Sequence, residues 1–269
     1  MLIKKYGCFY LFLLVLIGFS CVFPATASNT KREAALADQV LSGIVVGDPV
    51  WLTAKGVKFL GVYTPANIAQ GKKRSTHAII LIHGRGAYPT WGFFDNMRSD
   101  LTDVGWHTLS IQMPVLDRDT PLGAYGTTFD DAFDRIDAAI AFLQKRGITS
   151  IVLLGHSTGA MMAVAKEANR PSKLVTGLIA IGLSTTPSGG PYMLPVKQLP
   201  RIRKPILDIY GAQDLPDVLN FVQARKDAAA AAPNKDYTIV RIKGANHFYT
   251  DRYELLLGRI KLWLHARRY

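Results

Sequence analysis

At 269 residues, 49% of them hydrophobic and 19% charged, the chain is long enough to bury a sizeable core and too apolar to remain disordered. Its 32 lysines and arginines against 20 acidic residues give a formal charge of +12, yet the basic residues fall in small scattered clusters: Lys72-Lys73-Arg74, Arg201-Arg203-Lys204 and Arg267-Arg268. No aromatic-interleaved basic stripe of the kind that holds single strands is present, so the charge argues against a nucleic-acid partner and describes a solvated surface whose weak attraction to anionic lipid or polysaccharide would be lost in salt.

The first segment reads as a targeting signal. Lys4 and Lys5 precede an apolar run from Tyr6 to Phe19, and Ala25-Thr26-Ala27 gives the small-x-small pattern of a signal-peptidase site. The expectation is a signal peptide over residues 1–27, a single domain over 28–269, and a periplasmic or secreted protein. Competing readings are a lipoprotein site at Cys21, which lacks the leucine-like residue three positions upstream, and an uncleaved anchor, for which the run is shorter than the ~20 residues of a spanning helix. No stable membrane insertion is expected after signal removal. Cys8 and Cys21 both lie in this segment, so the mature chain would carry no disulfide.

In chain order, Asn29 to Ser42 suggests an amphipathic helix with Leu36, Val40 and Leu41 on one side. Val50–Thr53 and Val57–Tyr63 are β-rich and joined by Ala54-Lys55-Gly56, which reads as a hairpin. Beyond Lys72, continuous apolar runs alternate with helix-period segments, the rhythm of parallel strands covered on both faces. The runs are Ala78–Ile82, Trp106–Ile111, Ser150–Leu154, Gly177–Leu183, Pro205–Tyr210 and Tyr237–Ile242. The clearest helix spans Thr128 to Arg146, with Phe129, Phe133, Ile136, Ile140 and Leu143 at helical spacing, Asp130 and Asp131 in its first turn and Gly147 closing it. Others start near Gly92, Thr158, Pro216 and Asp251, the last with Tyr253, Leu256, Leu257, Ile260 and Leu264 on one face. The fold class expected is α/β: a mostly parallel central sheet begun by an antiparallel hairpin, with helices on both faces and a small cap or none. The Pro/Gly-rich connections Gln112–Thr127 and Thr185–Pro200 each follow a strand and are expected to wall a pocket.

Gly155-His156-Ser157-Thr158-Gly159 follows the apolar strand and opens a helical segment, the strand-turn-helix setting of a nucleophile elbow. A serine hydroxyl needs a base within hydrogen-bonding reach and a carboxylate to orient that base. Downstream histidines are His247, just after the last strand, and His265, inside the terminal helix among basic residues; His247 is the candidate base. Asp214, in Gly211-Ala212-Gln213-Asp214 after a strand, is the candidate acid, with Asp217 in reserve. The blander readings are a turn serine, a loop histidine bonded to backbone and a helix-capping aspartate; His83 and His156 read as packing residues. Tyr88, Trp91, Met113, Tyr192 and Phe248 suggest an apolar acyl pocket, although core packing accounts for them as well.

Together with Gly244-Ala245-Asn246-His247, these motifs make the chain, from Val50 to Arg268, resemble the α/β-hydrolase superfamily. His83-Gly84-Arg85-Gly86 is similar to that superfamily's oxyanion loop, and the resemblance implies that the backbone N–H groups of Arg85 and Thr158 hold a developing oxyanion. Arg85 departs from the Gly-only run of lipases, which leaves the donor and local pocket shape open. The implied function is a serine hydrolase of carboxylic esters or thioesters acting through an acyl-enzyme on Ser157. The alternatives are an acyltransferase or a non-catalytic binding protein on the same scaffold. No cofactor and no metal are expected: Pro89 occupies the third glycine position of a dinucleotide fingerprint, and the six histidines include no i, i+4 pair. A small-molecule ester or thioester is the expected partner.

Overall fold

The computed structural model describes residues 28–68, 74–233 and 236–267. The leader expected over residues 1–27, with Cys8 and Cys21, lies outside the described residues, as do Lys72, Lys73 and Arg268. Strands β1 (Asp48–Ala54) and β2 (Val57–Thr64) form the hairpin, followed by β3 (His77–Ile82), β4 (His107–Ile111), β5 (Ser150–His156), β6 (Val175–Ile181), β7 (Ile206–Gln213) and β8 (Tyr237–Asn246). The hairpin loop is the two residues Lys55 and Gly56, both at positive φ, as a type I′ turn demands. All eight strands join one sheet in the order β1-β2-β4-β3-β5-β6-β7-β8. The pairs β1/β2 and β2/β4 are antiparallel and every other pair is parallel, as the patterning predicts.

Alternation along the central strands divides the core. Ile80 and Ile82 of β3 and Leu153 of β5 join one cluster with α3 (Phe129–Gln144) and α4 (Thr158–Asn169), packing against Phe129, Phe133, Ile136, Met161 and Val164. Their neighbours Ile79, Leu81, Val152 and Leu154 point the other way, to α2 (Phe94–Asp100) and α8 (Tyr253–His265), against Phe94, Met97, Leu256, Ile260 and Trp263. The helices therefore cover both faces. The inward stripe of α8 is Leu256, Leu257, Ile260, Trp263 and Leu264; Tyr253 is half-buried and instead donates its hydroxyl to Asp100 at 2.5 Å. The first helix, α1 (Thr30–Leu41), is capped by Asn29, whose side chain accepts from the Arg32 N–H. Its buried face is Glu33, Ala37 and Val40 rather than Leu36, Val40 and Leu41, because Glu33 turns inward to pair with buried Arg135 of α3 at 2.8 Å.

The strands bordering the site differ most from expectation. Where apolar runs end at Leu154, Tyr210 and Ile242, pairing continues to His156, Gln213 and Asn246. β6 is instead set earlier than its apolar run, spanning Val175–Ile181. A register shift between Gly211 and Gln213 keeps β7 and β8 paired through Gln213 and Asn246, so the next residues, Asp214 and His247, leave the sheet side by side. The Thr185–Pro200 connection is ordered into 3-10 turns at Pro187–Gly189 and Pro191–Met193, then α5 (Pro195–Gln198). The region expected to hold one helix from Pro216 holds two, α6 (Pro216–Leu219) and α7 (Val222–Ala230). Among the described residues, no helix is long and apolar enough to cross a membrane.

Candidate active site

Ser157 occupies the turn between β5 and α4 with φ 56° and ψ −123°, a conformation unfavourable for any residue bearing a Cβ. Its N–H is fixed by the Ile181 carbonyl at 2.8 Å. Close approach makes the turn possible: a Cβ on Gly159 would stand 2.1 Å from the Ile82 carbonyl oxygen, and one on Gly155 would stand 2.4 Å from that of Gly159. Both elbow glycines are thus required where strand, helix and the end of β3 meet.

His247 and Asp214 are both buried and share a 2.6 Å contact between His247 Nδ1 and Asp214 Oδ1. Asp214 also accepts from the N–H groups of Gly211 at 3.0 Å and Leu215 at 2.9 Å. Burial alone would raise its carboxyl, but the His247 bond and these N–H groups outweigh burial and hold the group below the usual carboxylate range. An ionised Asp214 draws the ring proton to Nδ1 and leaves the Nε2 lone pair of His247 available as a base. Asp217 is not the partner of His247; it lies farther along, with its carbonyl accepting from the Thr185 N–H at 2.9 Å. His265 is exposed near the end of α8.

Ser157, Thr158, His247, Gly84 and Arg85 line one cavity of about 220 Å³, together with Ala87, Trp91, Leu122, Leu215, Phe248, His156 and Asp217. Among the described residues no hydrogen bond joins Ser157 to His247, whose Nδ1 is engaged by Asp214. Thr158 opens α4, and its N–H has no intrahelical partner. The loop after β3 turns tightly, with the Ala87 N–H bonded to the Gly84 carbonyl at 3.3 Å and Gly86 at φ 67°, a turn in which the Arg85 N–H plays no part. A Cβ on Gly84 would lie 3.2 Å from Ser157 Cβ, which sets this loop directly against the elbow.

Two buried imidazoles hold the site in shape. His83 Nε2 accepts from the Met113 N–H at 2.9 Å and Gln112 Nε2 at 3.1 Å, which places its proton on Nδ1, facing the Gly84 carbonyl at 2.9 Å. Burial pushes its pKa down to about 4. His156 Nε2 donates to the His247 carbonyl at 2.9 Å, tying the elbow to the histidine loop. Burial, followed by the nearby His247, lowers the His156 pKa to about 3. Sequence reasoning assigns both to packing; the structure adds these specific bonds. It also shows Asn246 Oδ1 accepting from the N–H groups of Phe248 at 3.0 Å and Thr250 at 3.2 Å, an Asx turn whose only sequence signal is the asparagine itself. At Gly182, with φ 57°, a Cβ would stand 3.0 Å from the His247 ring, a contact that no sequence motif signals.

Of the five residues expected to form a pocket, Trp91 and Phe248 do so, with ring centroids 5.6 Å apart. The other three pack elsewhere: Met113 lies in the core, Tyr192 stacks on Phe129 at 5.8 Å, and Tyr88 packs beside α1. Leu122, from the Gln112–Thr127 connection, and Leu215, beside Asp214, line the cavity instead, whereas no residue of the Thr185–Pro200 connection, also expected to wall it, borders it. Among the described residues, no group of three or more histidine, cysteine or acidic side chains could hold a metal ion.

Comparison with known proteins gives the same architecture. Est1E from Butyrivibrio proteoclasticus matches with a TM-score of 0.62 at 18% identity, covering 81% of this chain and 98% of its own. A dienelactone hydrolase from Anabaena variabilis matches at 0.65 and 20%, covering 81% and 96%. A soluble variant of monoglyceride lipase from Saccharomyces cerevisiae matches at 0.61 and 16%, covering 82% and 96%. Identities this low carry the fold alone, and no curated protein matches the sequence. The family profile described as "Protein of unknown function (DUF3530)" matches residues 20–132 and 126–266, which is most of the chain. The protein accordingly belongs to that family and is built on the α/β-hydrolase fold.

Proposed function

We propose that this protein is a serine hydrolase that cleaves carboxylic esters or thioesters through an acyl-enzyme on Ser157. The observation that carries the reading is the convergence of three separate turns on one cavity edge. A hydroxyl held in a strained elbow faces the same cavity as a buried imidazole whose far nitrogen is anchored 2.6 Å from an ionised carboxylate. In the first half-reaction His247 Nε2 takes the Ser157 proton as Oγ attacks the acyl carbonyl, and the leaving alcohol or thiol collects that proton as the C–O or C–S bond breaks. Water then attacks the acyl-enzyme, giving its proton to His247, and Ser157 is released as the carboxylic acid departs. The N–H groups of Arg85 and Thr158 are assigned to the tetrahedral oxyanion, where a preorganised donor contributes roughly 3–4 kcal/mol. Neighbours of this fold named as a dienelactone hydrolase and a monoglyceride lipase support hydrolysis as the reaction type.

The test is a panel of p-nitrophenyl esters of increasing acyl length, with fluorophosphonate labelling alongside. Wild type is expected to turn over at least one ester and to be labelled at Ser157, and Ser157→Ala to lose both. Turnover surviving in the variant would place the chemistry elsewhere, and a folded wild type that is neither labelled nor active would remove the reading.

A further inference from the structure

We infer that the preferred substrates are esters carrying a carboxylate, bound beside the oxyanion loop by the Arg85 side chain; this inference rests on the serine-hydrolase reading above. The cavity is mostly apolar, with Trp91, Leu122, Leu215 and Phe248 among its walls, and Arg85 is its one lysine or arginine. Arg85 is exposed and makes no ion pair among the described residues. A guanidinium in that position offers a planar fork of donors to a carboxylate, and the apolar wall beside it lowers the local dielectric and strengthens the attraction.

Topology gives the charge a direction. Arg85 follows β3, the neighbour of β5 on one side, whereas Asp217 follows β7, two strands from β5 on the other. The cavity is therefore cationic on the oxyanion-loop side of Ser157 and anionic on the opposite side. An anionic substituent is drawn to Arg85 and turned away from Asp217, which orients the ester as well as binding it. Arg32 adds positive potential on the same side: its guanidinium reaches the Leu116 carbonyl, and its second nitrogen lies 3.5 Å from the Cβ position of Gly86. Asp117, next to Leu116 and bonded by the neutral Asn29 amide at 2.6 Å, keeps its negative charge and offsets part of the Arg32 contribution, which leaves Arg85 as the charge that orients the ester.

Matched pairs of esters test the inference: 4-carboxyphenyl acetate against 4-carbamoylphenyl acetate, and monophenyl glutarate against its 5-amide. Each pair differs in charge and little in shape, so the readout is the ratio of kcat/KM for the acid to that for the amide. In at least one pair the wild-type ratio should exceed one and decline as salt is added, and the pair that shows it locates the anion on the alcohol or the acyl side. Arg85→Gln should lower that ratio about fivefold to tenfold, Arg85→Lys should restore most of it, and Asp217→Asn should raise it. A ratio at or below one in both pairs, or one that Arg85→Gln leaves unchanged, overturns the inference while Ser157 labelling still upholds the hydrolase. A wild type that neither hydrolyses any of the four esters nor accepts fluorophosphonate overturns both.

Discussion

Ser157 holds a backbone conformation that costs on the order of 1–3 kcal/mol, and the molecule sustains it through the Ile181 carbonyl and the glycine contacts on either side. Because Asp214 and not Asp217 bonds the His247 ring, Asp214→Asn should lower kcat by about 10³–10⁴-fold, as replacement of an orienting carboxylate by an amide allows the wrong imidazole tautomer. Asp217→Asn should keep p-nitrophenyl ester turnover within about tenfold, since that residue lines the cavity without touching the imidazole. Equal losses in steady-state kinetics would show that the pairing is not the one that operates. His156 offers a second prediction as a positioning residue. His156→Phe keeps an aromatic ring and removes the N–H held by the His247 carbonyl, so kcat should fall about tenfold with KM little changed, and His156→Gln should recover part of the loss. Variants with wild-type kcat would reduce His156 to a packing residue.

At the level of elements, what fixes the acid-bearing strand is buried charge. Asp208 in β7 and Arg225 in α7 are each fully buried, with a 2.7 Å bond between Arg225 Nε and Asp208 Oδ2, and Tyr237 of β8 also donates its hydroxyl to Asp208. Arg225 further caps the Val218 carbonyl at 2.9 Å, so one side chain gathers β7, α6 and α7 immediately behind Asp214. Removal of one partner leaves an uncompensated buried charge. Arg225→Met should therefore cost about 3–5 kcal/mol in urea unfolding, and adding Asp208→Leu should recover part of that cost. A loss below about 1 kcal/mol would contradict full burial of the pair. None of this is visible in the linear sequence, because the pair joins side chains 17 residues apart on a strand and a helix that only packing brings together. The hairpin, the parallel strands and the long helix are visible there, because periods of two and of 3.6 follow directly from backbone geometry.

Across the whole molecule, His83 and His156 tie stability to pH. Both folded pKa values, about 4 for His83 and about 3 for His156, lie below the ordinary 6.5 of an unfolded chain. Between those limits the unfolded state binds more protons, so stability rises with pH; it is complete above about pH 6.5 and is lost as pH falls toward 4 and then 3. At 1.36 kcal/mol per unit the shifts correspond to about 3 kcal/mol for His83 and about 5 kcal/mol for His156. The melting temperature should hold steady from pH 8 to 7 and drop steadily below 6, with a shallower slope in His83→Gln. A flat profile from pH 7 to 4 would mean that these rings are not held neutral.

Local rules were enough to read the α/β class and the strand-turn-helix around Ser157, because each depends on residues adjacent in the chain. Asp214 and His247 became candidates through their place after later strands, an order that belongs to the fold type rather than to any local rule. Only the tertiary structure distinguished Asp214 from Asp217, since the choice depends on the β7–β8 register that lets Asp214 and His247 leave the sheet together. It also assigned His83 and His156 their bonds, placed Tyr88, Met113 and Tyr192 outside the cavity that Leu122 and Leu215 help to line, and set Arg85 and Asp217 on opposite sides of Ser157. Each of those outcomes joins residues distant in sequence, and burial and register are properties of the packed sheet rather than of any segment within it.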